Sequence, residues 1–279
     1  MEKAPCSVGI LSFNSGATLR AALESVRFCD DIILCDGGST DATLEIAKEY
    51  GCRVIAQDAQ FKNAEGRLID FGSARNQVLA AAKNDWFLYI DSDETISDGL
   101  AKDVQCIARK PYESDEPLAY RIPIRIVLDG TVILHASNYP GYQYRFFNRR
   151  ARARYIKPVH ERINIDPKKV PTGTLANPWY VYATREDSRH YLRNTAGYRA
   201  LEVGIFEHHT FSQYLRFVVF RNLRTSAGAL IRSLGNYLRY GFKYSAPVSE
   251  ELGRVIAPLL SIAGITKGIV RYRLRRNRP

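Results

Sequence analysis

Three carboxylates follow directly after a short apolar and aromatic run in the first third of the chain. The run is Trp86-Phe87-Leu88-Tyr89-Ile90, and Asp91-Ser92-Asp93-Glu94 comes next. Because side chains alternate along an extended chain, we expect Asp91 and Asp93 on the same side of it. Two adjacent carboxylates repel each other unless a cation lies between them, and oxygen ligands suit Mg2+ or Mn2+. The spacing therefore predicts a divalent cation site, with a solvated acidic turn before the next helix as the alternative.

The strand that precedes these acids determines where they lie. Five consecutive apolar residues are typical of a strand that is buried on both faces, as in a parallel sheet. Asp36 ends a second apolar run, residues 31–35, and Gly37-Gly38 after it permits a tight turn. Parallel sheets bind ligands at the carboxyl ends of their strands. We therefore expect neighbouring strands that bring Asp36, Asp91 and Asp93 to one nucleotide-binding crevice, although Asp36 also fits a plain strand-to-helix turn.

The elements around these acids alternate between strand and helix. In chain order the pattern predicts strand 6–13, helix 17–26, strand 31–35, helix 42–50, strand 52–56, helix 68–83, strand 86–90 and helix 96–108. This order implies an α/β fold with a Rossmann-like, mainly parallel sheet and right-handed crossovers. Alternating residues over 120–127 and 131–134, joined by Asp129-Gly130, predict an antiparallel hairpin that extends the sheet.

Two common glycine-rich phosphate loops are absent from the sequence. Gly37-Gly38 is not the dinucleotide fingerprint, which would follow the first strand, and no Gly-x-x-x-x-Gly-Lys-Ser/Thr segment occurs. A sugar-1-phosphate nucleotidyltransferase would need a glycine-rich loop with Arg or Lys after the first strand. Residues 12–16 contain no such loop, so this enzyme class is an alternative rather than the main hypothesis.

Six short motifs together make residues 7–163 resemble a known family. They are, in chain order, Phe13-Asn14, Asp36-Gly37-Gly38-Ser39-Thr40-Asp41, Arg75-Asn76, Trp86 to Glu94, Gln143 to Arg149, and Val159-His160-Glu161. Their order and spacing resemble the inverting family 2 glycosyltransferases of GT-A fold, in particular the subgroup that includes lipopolysaccharide-core β-glucosyltransferases. The resemblance implies a GT-A fold and the transfer of a sugar from a nucleotide-diphosphate sugar to an acceptor hydroxyl.

The resemblance also implies roles for individual residues. The nucleotide sugar would be bound by Asn14, Asp36, Arg75 and Asp91, and the cation would be held by Asp91, Asp93 and His160. The general base would be Glu161. Two departures from the family, Ser15-Gly16 after Asn14 and Gly37 where many members have Asp, leave the nucleobase open.

Glu161 also fits the chemistry that such a transfer needs. A sugar hydroxyl is a poor nucleophile, so a carboxylate within hydrogen-bond reach must take its proton. The leaving diphosphate develops negative charge, which a divalent cation stabilises. The alternatives are a salt bridge from Glu161 to Arg162 or another nearby arginine, and a purely structural imidazole at His160.

Arginines and aromatic residues are interleaved between residues 142 and 155. Planar guanidinium groups bind phosphate well, and we expect Arg145 to contact the diphosphate or an anionic acceptor. Arginine among aromatic residues is also found in nucleic-acid binding. The alternation here predicts strands with one buried face, so we expect no nucleic acid partner.

Positive charge is concentrated in the last third of the 279-residue chain. Residues 1–189 hold 25 Lys/Arg and 25 Asp/Glu, whereas residues 190–279 hold 15 and 4, which accounts for the net charge of +11. The charges thus separate a neutral body, residues 1–189, from a basic region, and the resemblance implies that the body is a glycosyltransferase domain of GT-A fold. Residues 190–279 would form a basic, helical, membrane-associating region.

Residues 211–242 have the apolar spacing of an amphipathic helix. Its stripe comprises Leu215, Val219, Phe220, Leu223, Ala227, Leu230, Ile231, Leu234 and Leu238. Arginines on the opposite flank are typical of a helix that lies in the headgroups of an anionic leaflet. The next apolar segment, 255–270, is shorter than the ~20 residues of a spanning helix. Peripheral or monotopic attachment is expected, with packing on the body or in a homo-oligomer as the alternative.

The cysteines and the N-terminus predict a cytoplasmic protein, which the basic C-terminal region would attach to the inner membrane. Five cysteines without a Cys-x-x-Cys pair favour free thiols in a reducing compartment, and no signal peptide precedes the first strand. The sequence thus predicts a metal-dependent inverting hexosyltransferase with a glycolipid or saccharide acceptor of the cell envelope. A non-catalytic scaffold at the membrane surface is the remaining alternative.

Overall fold

The computed structural model describes residues 2–113, 116–158, 161–184, 186 and 210–276. The chain divides into two compact units, each described by itself below. The first comprises residues 1–125 and 141–181, and the second comprises residues 126–140 and 182–279. The expected domain boundary at 189/190 lies outside the described residues and stays a prediction.

The first half of the chain alternates between strands and helices as expected. Its elements are β1 (Ala4–Ser12), α1 (Leu19–Val26), β2 (Cys29–Asp36), α2 (Thr43–Glu49), β3 (Arg53–Ala56), a 3-10 turn (Ala59–Phe61), α3 (Phe71–Ala81), β4 (Trp86–Tyr89), β5 (Glu94–Ile96) and α4 (Asp98–Arg109). Further strands follow: β6 (Ala119–Leu128), β7 (Thr131–Val132), β8 (Tyr142–Asn148), β9 (Tyr155–Ile156), β10 (Arg162–Ile163), β11 (Thr172–Thr174) and β12 (Trp179–Ala183). A 3-10 turn, Arg149–Ala151, separates β8 from β9.

Ten of these strands form a mixed sheet in the order β3-β2-β1-β4-β8-β6-β12-β5, with β7 and β11 also paired to β6, and β9 and β10 form a separate two-stranded sheet. Strands β3, β2, β1 and β4 are parallel, and β8 is antiparallel to both β4 and β6. The predicted α/β fold, a Rossmann-like parallel sheet with an antiparallel extension, is confirmed. One detail differs: β1 lies between β2 and β4, so the strands before Asp36 and Asp91 are both neighbours of β1 rather than of each other.

Strand β4 is buried on both faces, as its five apolar residues predict. Trp86 and Leu88 pack into one core cluster, and Phe87 and Tyr89 pack into another. Because side chains alternate along a strand, the two clusters lie on opposite faces of the sheet. Helices α1, α2 and α4 contribute to the first cluster and α3 to the second. The acids after β4 are thereby anchored to the most buried part of the first unit.

Helix α4 begins two residues later than predicted, because residues 94–96 form a strand instead. Ser97 caps the helix by accepting a hydrogen bond from the amide of Leu100 (3.1 Å). Strand β5 pairs with β12, more than 80 residues further along the chain. A three-residue strand with so distant a partner leaves no local periodicity. Helix α3 likewise begins at Phe71 rather than residue 68, capped by Asp70.

The hairpin predicted at Asp129-Gly130 is present in the second unit. Val127 pairs with Val132 and Leu128 with Thr131, so the connection has two residues. Both have positive φ, 46° at Asp129 and 79° at Gly130. This backbone matches the twist of the flanking strands, which explains the preference for Asp-Gly here.

Helices make up most of the remaining described part of the second unit. They are α5 (Phe211–Tyr214), a π-helical segment (Leu215–Phe220), α6 (Arg221–Tyr240) and α7 (Val248–Arg276). The expectation that the last apolar segment is too short to span a membrane is wrong in one respect. Helix α7 is continuous, and its Val248–Val270 portion, which contains an 18-residue window of mean hydropathy 1.4, is long and apolar enough to cross a bilayer. One such helix is weak support for membrane insertion.

Helices α6 and α7 pack through small side chains. The buried residues of α6 are Ser226, Ala229 and Ser233. Ser226 Oγ donates to the carbonyl oxygen of Val255 (2.6 Å), and Ser233 Oγ donates to Glu251 (2.5 Å). The large apolar residues predicted to form a stripe point to solvent instead, with Ile231 69% and Leu238 89% exposed.

Candidate active site

Asp91 lies immediately beyond β4 and contacts three other side chains. Its Oδ1 accepts hydrogen bonds from the Tyr89 hydroxyl (2.6 Å) and from Arg75 Nη1 (3.3 Å). Its Oδ2 is 3.8 Å from Arg145 Nη2. The acid at the end of the central strand is therefore surrounded by two guanidinium groups and a phenol.

Arg75, on α3, joins the predicted base to the predicted metal ligand. Arg75 Nε donates to Glu161 Oε1 at 2.5 Å, and Nη2 contacts the same oxygen. Its guanidinium carbon lies 3.7 Å from the centre of the Tyr89 ring. Both members of the pair are largely buried, with side chains 10% and 15% exposed. The salt bridge considered for Glu161 thus exists, with Arg75 as the partner.

Asn76, the next residue of α3, holds the backbone of Tyr155. Its Nδ2 donates to the Tyr155 carbonyl oxygen and its Oδ1 accepts from the Tyr155 amide, both at 2.9 Å. The side-chain amide thereby makes the two backbone hydrogen bonds that another strand would make on that side of β9, whose other side pairs with β10. The Arg75-Asn76 motif serves two adjacent positions: the first contacts the acids, and the second fixes the segment that leads to Glu161.

The amino end of α3 approaches the same segment closely. The Phe71 amide donates to the Pro158 carbonyl oxygen at 2.9 Å. A Cβ atom on Gly72 would lie 2.3 Å from the Lys157 carbonyl oxygen, so only glycine fits there. Helix α3 is thus bound to residues 155–158 along its first two turns, and Glu161 follows three residues later.

Glu94, to which no role was assigned from the sequence, binds both the backbone of Asp91 and the side chain of Arg145. It accepts hydrogen bonds from Arg145 Nη1 (2.7 Å) and Nη2 (3.2 Å), from Trp179 Nε1 (3.2 Å) and from the Asp91 amide (2.9 Å). Arg145 is 9% exposed, and its Nε donates to Gln143 (3.1 Å). Arg145, expected at the diphosphate, therefore uses its guanidinium mainly to bind Glu94. Trp179 carries no signal in the sequence that would have linked it to this site.

Asp93 is exposed and has no ion-pair partner among the residues that the structure describes. Its pKa is raised, first because neighbouring protein displaces water around the carboxylate and second because the charge of Asp91 repels it. A carboxylate whose charge is unfavourable is suited to a cation. Over the described residues no group of three or more His, Cys, Asp or Glu side chains is placed to hold a metal. His160 lies outside those residues.

Asp36, at the end of β2, uses its carboxylate within its own loop. It accepts hydrogen bonds from the amides of Gly38 (2.8 Å) and Ser39 (2.9 Å) and from Ser39 Oγ (2.5 Å). Asn14, with φ 50°, donates a hydrogen bond from its backbone amide to Ser39 Oγ at 2.8 Å. Its side-chain Oδ1 accepts one from the backbone amide of Thr40, also at 2.8 Å. These two predicted nucleotide ligands join the loops after β1 and β2 to each other.

The loop after β1 also contacts the acidic turn. The hydroxyl groups of Ser15 and Ser92 lie 2.8 Å apart, within hydrogen-bond distance. Ser92 separates Asp91 from Asp93 in the sequence. The structure therefore brings the Asn14 loop next to the acids, as expected of strand ends that share one edge of a sheet.

A pocket of about 650 Å³ opens beside this network. Its walls include both members of the Arg75–Glu161 pair, together with Tyr89, Tyr144, Arg145 and Tyr155. Pockets that hold small ligands in proteins measure roughly 300–1,000 Å³. The arrangement can bind an anionic ligand beside two guanidinium groups and present a carboxylate to a second substrate.

Comparisons with known proteins agree with the fold and with the motifs. Residues 7–123 match the family described as Glycosyl transferase family 2. An uncharacterized glycosyltransferase of Rickettsia prowazekii (strain Madrid E) is 30% identical over 125 residues, which cover 44% of this chain and 39% of that protein. The chain spans less than half the length of the curated relatives that it matches.

Two solved glycosyltransferase structures are among those to which the chain is similar. Staphylococcus aureus TarS 1-349 in complex with UDP is 15% identical, with a TM-score of 0.47 over 98% of this chain and 92% of that one. Glucosyl-3-phosphoglycerate synthase from Mycobacterium tuberculosis, in complex with Mn2+, UDP and glucosyl-3-phosphoglycerate, is 22% identical, with a TM-score of 0.31 over 46% of this chain and 45% of that one. The match over residues 7–123 includes four of the six motifs, from Phe13-Asn14 to the run Trp86 to Glu94, so this part of the chain is similar to family 2 glycosyltransferases.

Proposed function

We propose that this protein is an inverting glycosyltransferase that moves a sugar from a nucleotide-diphosphate sugar to an acceptor hydroxyl. The observation that carries the proposal is the contact of Arg75 with both Glu161 and Asp91 at the wall of a pocket. A carboxylate for the acceptor and a carboxylate for the donor are thereby held on either side of one guanidinium group. Single displacement needs that pair of opposed positions.

The donor would occupy the carboxyl edge of the parallel strands. Asn14 and Asp36 would shape the nucleoside part of the site through the joined loops after β1 and β2. Asp91 and Arg75 would contact the diphosphate-sugar portion. Arg145, 3.8 Å from Asp91, would contribute positive charge there while its nitrogens bind Glu94.

Asp91 and Asp93 would hold a divalent cation, Mn2+ or Mg2+, with His160 as a further ligand. The unpaired carboxylate of Asp93 and the repulsion between the two acids fit a hard cation with oxygen ligands. When bound, the cation supplies stabilisation of the negative charge that develops on the leaving diphosphate.

Glu161 would act as the general base. Both contacts from Arg75 go to Oε1, and the described residues make no hydrogen bond to Oε2. Arg75 thus fixes the carboxylate in place and leaves its second oxygen for the acceptor hydroxyl. The acceptor's proton would move to Oε2 as its oxygen attacks the sugar carbon.

The second unit would attach the enzyme to the cytoplasmic face of an anionic membrane, where a glycolipid or saccharide of the cell envelope would be the acceptor. Two observations favour this. The apolar stripe of α6 is exposed, and small residues fill the contact with α7, which is typical of helices that pack in lipid. Arginines such as Arg221 and Arg239 on the same helix suit anionic headgroups. A homo-oligomer that covers the stripe is the competing arrangement. A hexosyltransferase similar to the lipopolysaccharide-core subgroup is the finer form of the proposal.

A thermal-shift panel tests the donor part directly. UDP, GDP, dTDP and CDP are each added with and without Mn2+, and the melting temperature is recorded. One nucleotide should raise it in the presence of Mn2+ and much less in its absence, because a ligand that binds only the folded state stabilises it. If none of the four shifts the melting temperature, the proposal is wrong. Release of pyrophosphate from a nucleoside triphosphate and a sugar 1-phosphate would indicate a nucleotidyltransferase instead.

A further inference from the structure

The hydroxyl of Tyr155 is a buried polar group without a hydrogen-bond partner among the described residues. The residue is only 9% exposed, and it forms part of the wall of the pocket beside Glu161. Buried hydroxyls in folded proteins are nearly always hydrogen-bonded, because a buried donor without an acceptor carries a desolvation penalty. An exception at the wall of a candidate site points to a partner that arrives with the substrate.

The ring of Tyr155 is held firmly from two directions. Asn76 binds its backbone amide and carbonyl, and the Tyr89 ring packs against it with 5.7 Å between ring centres. The hydroxyl therefore keeps a fixed position. Burial raises the pKa of Tyr155, so at neutral pH the hydroxyl is protonated and remains a hydrogen-bond donor.

The neighbouring polar groups of the pocket already have partners. The Tyr89 hydroxyl donates to Asp91, Arg75 donates to Glu161, and Arg145 donates to Glu94. Tyr155 thus differs from the other buried polar side chains around it. Because both guanidinium groups lie close to it, an oxygen that carries negative charge is the acceptor that best fits this position.

We infer that Tyr155 is a ligand-binding residue whose hydroxyl donates a hydrogen bond to a diphosphate oxygen of the nucleotide-sugar donor. The inference rests on the proposed function and assigns a further residue to its donor site. The donor is favoured over the acceptor because Tyr155 packs on Tyr89, whose hydroxyl binds Asp91. Tyr155 takes no part in proton transfer in this scheme and acts through binding alone.

The test is Tyr155→Phe, which removes the hydroxyl and keeps the ring. Isothermal titration calorimetry, with Mn2+ present throughout, measures the affinity of the variant for the nucleoside diphosphate that binds the wild-type protein most tightly. We expect about a tenfold weaker affinity, the loss typical of one hydrogen bond to a charged group. The melting temperature of the free variant should equal or exceed that of the wild type, because a buried donor without a partner has been removed. Tyr50→Phe, at a half-buried tyrosine whose hydroxyl donates an exposed hydrogen bond to Glu24, is the matched control and should leave the affinity unchanged.

The outcomes separate this inference from the proposed function. If the wild-type protein binds none of the four nucleoside diphosphates, both fail. If the wild type binds and Tyr155→Phe binds equally well, the inference alone is overturned. A lower melting temperature of the free variant would also overturn it, because the hydroxyl would then have a partner within the protein. The same loss for the diphosphate and its sugar conjugate, with none for the monophosphate, supports contact with the diphosphate. A loss already seen with the monophosphate supports contact with the α-phosphate of that diphosphate, whereas a loss seen only with the sugar conjugate contradicts the assignment.

Discussion

Asn76 forms two hydrogen bonds with the backbone of Tyr155, one to its carbonyl oxygen and one from its amide. One side chain thereby fixes the distance between α3 and the segment that carries the proposed base. The adjacent Arg75 holds Glu161 itself, so two successive residues of one helix set the position of the acceptor side of the site. This coupling leads to the first prediction.

Asn76→Ala should destabilise the fold and slow the transfer. Both polar groups of the Tyr155 backbone lose their partner, and an unsatisfied buried group costs about 1–3 kcal/mol. Urea denaturation measures the free energy of unfolding, and a transfer assay measures the rate. Asn63→Ala, in a loop where the side chain accepts from the amide of Arg67, serves as a control for the loss of an exposed amide contact. Equal stability of Asn76→Ala and the wild type would show that the Tyr155 backbone needs no such partner.

Gly72→Ala should be more harmful than an alanine elsewhere in a helix. Its Cβ would lie 2.3 Å from the Lys157 carbonyl oxygen, and this overlap forces α3 and the 155–158 segment apart. Overpacking of this kind typically costs about 1–3 kcal/mol. Gly235→Ala is the matched control, because no atom lies within 4 Å of the added Cβ on α6. The control should gain up to about 1 kcal/mol, since alanine favours helix over glycine. Similar unfolding midpoints for the two variants would contradict the prediction.

Asp93→Asn should stabilise the metal-free protein and abolish its response to Mn2+. The pKa of Asp93 is raised in the folded chain above the ordinary 3.8, so the folded state binds a proton more readily than the unfolded state. The stability that Asp93 contributes is fully present below pH 3.8 and is lost as the pH rises through the raised pKa of the folded state. At neutral pH the charge of Asp93 is therefore unfavourable to folding. Melting temperatures at pH 7, with and without Mn2+, test both parts. A variant that melts lower than the wild type without metal would be inconsistent with the repulsion described.

The affinity for Mn2+ should decrease with falling pH. A proton on Asp93 competes with the cation, and the raised pKa makes this competition begin at a higher pH than at an ordinary aspartate. Titration with Mn2+ at a series of pH values from 7.5 to about 5 follows the effect. An affinity that does not change over this range would argue against Asp93 as a ligand.

Glu161→Gln should reduce the rate of transfer by about 10²–10⁴-fold, the usual contribution of a general base. The affinity for the nucleoside diphosphate should change little, because the base serves the acceptor. Glutamine keeps the size of the side chain and a hydrogen bond to Arg75, so the fold should persist, as circular dichroism would verify. A transfer rate within twofold of the wild type would exclude Glu161 as the base.

Ile231→Glu combined with Leu238→Glu should weaken binding to membranes and leave the fold intact. Both side chains are exposed, and burial of each in a lipid interface is worth about 1.5–3 kcal/mol. Co-sedimentation with vesicles of phosphatidylethanolamine and phosphatidylglycerol measures the binding, which should also decrease at high salt. Leu44→Glu on α2 of the first unit, 41% exposed, is the control. If the double variant still sediments while its mass in solution falls, the stripe is an interface between subunits.

Much of the fold was predictable because its signals are local. The apolar run before Asp91, the turn after Asp36 and the Asp129-Gly130 hairpin each depend on residues close in sequence, and the structure has all of them. The contacts of the site depend on distant residues. Glu94 accepts hydrogen bonds from Arg145 and Trp179, and Asn76 bonds to Tyr155, all of them dozens of residues away in the sequence. The periodicity of the sequence does not predict such distant partners. The spacing also placed the stripe of α6 on one face correctly, but which face packs against α7 depends on the small residues of the contact.

On α6 the serines are buried and the leucines are exposed, which is the reverse of the polarity found in the helices of water-soluble proteins. In buffer without lipid or detergent, the exposed apolar surface of α6 favours self-association, because contact between copies removes it from water. Preparations of the full chain should therefore form larger particles as their concentration rises. Mild detergent or lipid nanodiscs should return the particles to one size. The need for detergent or lipid should therefore show at the first purification step, before any assay of catalysis.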